Sequence, residues 1–206
     1  MPPEFGKWAT VYQRFRRWAK KGIFERIYRA LADAQKPRSG TRSILIDSSI
    51  VRTHQDARRS RGVSSKEEEA IGRSRGGLST KIHAAVDEAF RLHSLTLSPG
   101  QAHDITEAPT LVAGLHKRAG HIVADRGYDC ARFRALISAR SMTPVIPYRK
   151  NAKQPEALNV CIYGQRNIVE RFFLKIKTCR RIATRFDKTQ TSYLAMIFLA
   201  SIVALR

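Results

Sequence analysis

The chain is short of acid, of cysteine and of long apolar runs, and each shortage narrows what it can be. Only 17 Asp and Glu stand against 38 Lys and Arg, a formal net charge of +21 with a pI near 10.8. A folded domain this basic repels itself unless a polyanion is close, so nucleic acid is the default partner. Charge gives the partner class and not the chemistry, because a purely structural nucleic-acid-binding protein would share it. The three cysteines, Cys130, Cys161 and Cys179, are widely spaced and form no C-x-x-C pair. That argues against a disulfide framework and a structural zinc site, and for a reducing compartment with buried or neutral thiols. The most hydrophobic segment, Tyr193 to Leu205, has 13 residues. That is short of the roughly 20 needed to cross a bilayer, so it reads as a buried C-terminal helix rather than a membrane span. The first ten residues mix acid and base without an apolar core, which is not a signal-peptide pattern. The expected location is the cytoplasm, on the nucleoid. No internal repeat is present.

What the chain does have is an ordinary hydrophobic fraction, 43%, and 206 residues, enough for one substantial domain plus an appendage. From Lys7 to Ala34, Trp8, Val11, Tyr12, Phe15 and Trp18 recur at helical spacing, with Arg14, Arg16 and Arg17 between them. Gly22 interrupts the pattern and Ile23, Ile27 and Leu31 resume it, predicting two short helices. Lys36 to Thr41 reads as a linker. Ser43 to Ser48 is an apolar run that delivers Asp47 to its edge, the form of a buried strand. Residues 52 to 77 are polar and aperiodic, with seven basic residues against four acids, and read as a long loop facing either DNA or solvent. Thr80 to Val86 and Arg91 to Leu97 form a predicted hairpin around Asp87-Glu-Ala-Phe90.

Beyond Pro99-Gly100, Asp104 and Glu107 have the spacing of a capping box, predicting a helix from about Ile105 to Arg118. His121 to Asp125 is a second apolar strand ending in a carboxylate, with Gly127 as a tight turn after it. A helix from Cys130 to Ala139, a strand from Thr143 to Pro147 and a polar connection from Tyr148 to Asn159 follow. A long basic helix over Gln165 to Arg185 and an apolar helix over 191 to 205 close the chain. Three antiparallel strands followed by βαβ units make an RNase H-like α/β fold, a mixed sheet flanked by helices.

Strands ending in Asp47 and Asp125 would place two carboxylates side by side. Magnesium takes hard oxygen ligands and keeps much of its water, so one or two carboxylates per ion suffice when phosphate supplies the rest. Two ions roughly 3.5–4 Å apart can stabilise the attacking and leaving oxygens of a phosphoryl displacement. Strand-terminal Asp residues also serve as plain turn or cap residues. A third carboxylate shifts the balance, because Tyr163, Arg166, Glu170 and Lys177 fall three, four and seven residues apart. On a helix that spacing puts all four on one face. Ile168, Phe172, Leu174 and Ile176 mark a separate buried side. The bland alternative is a surface stripe with Arg166 and Glu170 as an ordinary ion pair, worth a few tenths of a kcal/mol.

Those four residues match the Y-x2-R-x3-E-x6-K signature of bacterial insertion-sequence transposases of the DDE type, and the chain most resembles their IS Five branch. Further matching stretches are Ile71 to His83, Pro99 to Asp104, Val123 to Tyr128 and Arg180 to Lys188, and the resemblance runs from about residue 5 onward. It implies an RNase H-like catalytic domain over residues 41–206, with Asp47, Asp125 and Glu170 holding two Mg2+ or Mn2+ ions. It further implies phosphodiester hydrolysis and strand transfer at element ends, with terminal inverted repeats and target DNA as partners. Pairing two ends makes a homodimer or higher oligomer the natural assembly. Tyr163, Arg166 and Lys177 would contact phosphate near the cut. Arg180, Arg181, Arg185 and Lys188 would track the DNA backbone, and Arg126 and Tyr128 would line the site or pack the turn. His83, His103 and Asp104 fall in matching stretches and are expected to be structural.

The chain departs from the pattern at its start. Residues 1–40 are shorter than the helical region relatives carry for recognising ends. A truncated copy, a genomic remnant and the downstream part of a split frame would all look like this. A stand-alone RNase H-type nuclease or resolvase and a non-catalytic DNA-binding remnant are the two alternatives to a transposase.

Overall fold

The computed structural model describes residues 2–35, 43–57, 69–115, 119–150, 152 and 157–205. Two helices open the chain, α1 (Trp8–Lys20) and α2 (Ile23–Ala34). Gly22 between them has φ 63°, a left-handed conformation that a side chain would disfavour. The sheet strands are β1 (Ser43–Thr53), β2 (Gly72–Ser74), β3 (Gly77–Asp87) and β4 (Leu92–Pro99). After them come α3 (Asp104–Ala113), β5 (His121–Val123), α4 (Ala131–Ser138) and β6 (Thr143–Val145). The C-terminal part holds α5 (Val160–Tyr163), α6 (Asn167–Lys177), α7 (Arg180–Ala183), β7 (Thr184–Arg185) and α8 (Gln190–Ala204).

The strands form one mixed sheet. β3 lies antiparallel between β1 and β4, while β5 runs parallel to β1 and β6 parallel to β5. β2 extends the β4 side of β3 at Gly72 to Ser74, and β7 pairs with the far end of β1 at Arg52 and Thr53. Three antiparallel strands continued by two parallel ones is the RNase H-like order that the sequence predicts.

Side chains of a strand alternate between faces, and β1 shows what that does here. Leu45 and Val51 enter a core with α6, α7, α8 and the first two helices, whereas Ile44 and Ile46 enter a second core with α3 and α4. α1 and α2 dock on the first core: Tyr28 stacks 5.9 Å from Phe198 of α8 and accepts a hydrogen bond from the Leu92 backbone N–H. α8 is apolar on every side, the pattern of a buried helix, and Thr189 caps it by accepting from the Ser192 N–H. Among the described residues no helix is long and apolar enough to cross a membrane.

Several expectations change. β1 continues past Ser48 to Thr53, so Asp47 sits fifth in an eleven-residue strand rather than at its edge. The stretch read as a loop over 52–77 contains β2 and the start of β3, while its residues 58–68, like the linker at 36–41, lie outside the described residues. α3 ends at Ala113, and 116–118 are likewise outside. The capping box does not form: the N-cap is His103 without a side-chain cap, and Glu107 Oε2 instead accepts from Thr96 Oγ1. The helix expected over Gln165 to Arg185 is broken into the end of a 3-10 turn at Gly164–Arg166, α6, α7 and β7, with α5 as a further short helix before it. Within α6 the buried stripe is Val169, Phe172, Phe173 and Ile176, spaced three, one and three apart; Leu174 is 69% exposed. Cys161 is exposed rather than buried.

Candidate active site

The free edge of β1 creates the site. β5 covers that edge only at Ser43 to Leu45 and β7 only at Arg52 and Thr53, so the middle of the strand has no strand partner on this side among the described residues. Asp47 lies in that interval. β5 pairs Val123 with Leu45 and ends there, and Asp125 follows two residues on, close enough for its charge to act on Asp47. The chain turns sharply there. Asp125 caps a 3-10 turn at Arg126–Tyr128, its Oδ1 accepting from the Gly127 N–H at 2.8 Å. A Cβ on Gly127 would stand 2.9 Å from that same oxygen, so a side chain there would push the Asp125 carboxylate aside.

α6 crosses the gap and supplies the third carboxylate. Arg166, at its start, donates from Nη2 to Asp47 Oδ2 at 3.0 Å and from Nη1 to Glu170 Oε1 at 2.6 Å. Lys177, at the other end, donates to Ser49 Oγ at 2.7 Å and to the Ile50 carbonyl at 3.1 Å. Asp47 Oδ1 accepts from the Ser48 N–H at 2.8 Å. Asp47 is 14% exposed and Glu170 50% exposed, so the site grades from buried to open. The Asp47 carboxyl is raised to about 6: burial is the main cause, the nearby charges of Asp125 and Glu170 act the same way, and the Ser48 N–H and Arg166 oppose them. The three carboxylates therefore share one electrostatic neighbourhood with Arg166 as counter-ion. Burial pushes the Tyr128 phenol well upward, and the charges of Asp104, Asp47 and Asp125 add to it.

The donor set suits a hard divalent cation: carboxylate oxygens from a strand, the turn that follows β5 and one helix, with Arg166 as the cation bridging two of them. As the side chains stand, no three such groups among the described residues enclose an ion. Arg166 bridges Asp47 and Glu170 instead, and its Nε is buried without a hydrogen-bond partner.

The other residues singled out from the sequence divide. Tyr163 is half-buried on α5, close enough to Arg166 for its charge to be felt there. Arg126 is exposed beside Asp125, and Arg180 and Lys188 are exposed further along. Arg181 is tied to Asp187 by two hydrogen bonds, Nε–Oδ2 at 3.1 Å and Nη2–Oδ1 at 2.7 Å. Arg185 is not a surface residue at all: it is fully buried, with Nη1 donating to Thr80 Oγ1, Nε to the Asp187 carbonyl, and its guanidinium 5.1 Å from the Tyr193 ring. Burial lowers it to about 10. A guanidinium so placed ties β7 to β3 and α8 and cannot reach a DNA phosphate.

A carboxylate cluster flanked by Arg and Lys on an RNase H-like sheet has the donor set for metal-assisted phosphoryl chemistry on nucleic acid. Residues 38–205 match the Transposase DDE domain family, and the chain belongs to that family. A putative transposase for insertion sequence element IS6501 from Brucella ovis is 34% identical over 124 residues, which cover 60% of this chain and 95% of that protein. The catalytic core domain of BIV integrase is similar over 81% of this chain and 82% of its own, at 13% identity and a TM-score of 0.41.

Proposed function

We propose that this transposase cleaves a phosphodiester at the ends of its insertion element, frees a 3′-hydroxyl and joins that hydroxyl to target DNA in the same site. The observation that supports it is the meeting of Asp47, Asp125 and Glu170 around Arg166 at the uncovered edge of β1. We assign those three carboxylates to holding two Mg2+ or Mn2+ ions. When bound, such ions stabilise the attacking and leaving oxygens of the displacement. Burial and neighbouring carboxylates hold the Asp47 proton until about pH 6, so near neutrality the residue is an anion, paired with the Ser48 N–H and Arg166. Arg166 answers part of that charge with a planar fork suited equally to carboxylate and phosphate, and it can move from one to the other as DNA enters. Lys177, anchored on β1, presents a second cation alongside.

The IS Five-type branch rests on the Tyr163, Arg166, Glu170 and Lys177 spacing. The family match over residues 38–205 supports a catalytic unit over 41–206; to the helices before it we assign a part in meeting the element ends. Because two ends must be brought together, the working assembly is a dimer or larger on DNA. The test is joining of precut oligonucleotides bearing the element's terminal repeats, in Mg2+ or Mn2+, by wild type and Asp125→Ala. Joining by wild type alone is expected; equal joining by the variant would remove Asp125 from the site.

A further inference from the structure

On the face of the sheet opposite the carboxylates lies a second polar cluster that the reaction does not use. Ser48 follows Asp47, and strand alternation turns its side chain away from the site towards α3. There Ser48 Oγ donates to Asp104 Oδ1 at 2.7 Å. Lys81 Nζ donates to the same oxygen at 2.8 Å and to the Ala102 carbonyl at 2.6 Å. Asp104 opens α3, where a carboxylate ordinarily serves the helix end, yet it makes no side-chain cap; its oxygen is committed to the sheet. Lys81 is buried, and a buried ammonium needs such a partner.

We propose that Asp104 is a positioning residue for Asp47, acting through Ser48. The Ser48 hydroxyl is held from behind by the Asp104–Lys81 pair, and the Ser48 backbone N–H is the donor to Asp47 Oδ1. Fixing that residue fixes the peptide that aims the Asp47 carboxylate, leaving Oδ2 turned towards Arg166. Groups that orient a ligating side chain are worth about 10–100-fold in metal affinity or activity. A brace that merely fastened α3 to the sheet would change stability and leave the carboxylate alone. This inference rests on the reading of Asp47 as a metal-holding residue.

The experiment uses the full chain bound to precut ends that carry a 3′-dideoxy terminus, so that no joining occurs. Uptake of Mn2+ is followed by loss of the free-ion electron paramagnetic resonance signal, with thermal melting of each variant alongside. Asp104→Ala strands the buried Lys81 and can unfold the protein, so Ser48→Ala, Ser48→Thr and Asp104→Asn carry the test. Ser48→Ala is expected to weaken Mn2+ uptake about tenfold with its melting temperature kept, and Ser48→Thr, which restores the hydroxyl, to recover most of it. Asp104→Asn, which keeps an acceptor oxygen, is expected to fall between them. Unchanged uptake in Ser48→Ala, or a loss that follows melting temperature alone, overturns the proposal. Asp47→Asn is the control: uptake equal to wild type there overturns the reading of Asp47 itself, whereas loss in Asp47→Asn beside unchanged Ser48→Ala overturns only the brace.

Discussion

His83 is wholly shut off from solvent, with Nε2 2.7 Å from Ser98 Oγ and Nδ1 without a hydrogen-bond partner. Burial lowers its pKa from 6.5 to about 4; Asp104 pulls the other way and Lys81 adds to the lowering. The unfolded chain therefore binds this proton more readily than the folded one. The stability due to neutral His83 is complete above about pH 6.5 and is lost as the pH falls towards 4, by roughly 3 kcal/mol across that window. Urea unfolding at pH 7 and pH 4.5 should show a steeper loss in wild type than in His83→Gln, and parallel losses would contradict it. Residue-scale chemistry was only partly legible beforehand. Asp47, Asp125 and Glu170 stand out as candidates because each follows or sits within an apolar pattern that announces its element. Ser48, Lys81 and Asp104 are not, because their meaning lies in a contact between residues 56 and 23 positions apart. Arg185 misleads for the same reason: a basic residue in a basic run is indistinguishable from its neighbours until Thr80, Asp187 and Tyr193 enclose it.

α6 is where element-scale reading is tested most sharply, since its two faces do opposite work. Val169, Phe172, Phe173 and Ile176 pack inward, and that packing holds Arg166, Glu170 and Lys177 against β1. Phe172→Ala should cost about 3–5 kcal/mol by emptying a fully buried site. Leu174→Ala, on a side chain mostly in solvent, should stay within about 0.5 kcal/mol. Denaturant melts of the two variants give the comparison, and similar losses would mean the helix is rotated. The hairpin of β3 and β4, the strand before Asp125 and the apolar α8 follow from periodicity directly. The outer half of β1 does not, because Ser48, Ser49 and Arg52 interrupt the apolar alternation by which strands are recognised. Ser48 and Ser49 instead bond to Asp104 and Lys177, contacts that the local pattern does not announce. The breaks around α6 are equally silent, since no proline marks the 3-10 turn at Gly164–Arg166.

At the scale of the whole molecule, a net charge of +21 says that DNA binding will be salt-dependent without saying which cations carry it. The fold separates them. Arg185 is interior and Arg181 is engaged with Asp187, whereas Arg180 and Lys188 are exposed. Tyr12 and Arg16 of α1 line one surface cleft together with Arg181, Asp187 and Lys188, so the N-terminal helix and the segment after α6 bring cations to one cleft. Each phosphate neutralised contributes about 0.9 to the slope of log affinity against log salt on duplex DNA. Replacing Arg180 and Lys188 together by Ala should therefore lower that slope by up to about two, with the melting temperature kept. Arg185→Ala should do the reverse, leaving the slope of the folded protein unchanged while costing about 2 kcal/mol or more, because Thr80 and the Asp187 carbonyl lose their buried donor. Fluorescence anisotropy on a random duplex between 50 and 200 mM salt, a range over which phosphate contacts change affinity by about 10³–10⁵ for 6–10 contacts, resolves a change of that size. A reduced slope in a stably folded Arg185→Ala protein would place that guanidinium on the surface and dismantle the packing of β7 described above.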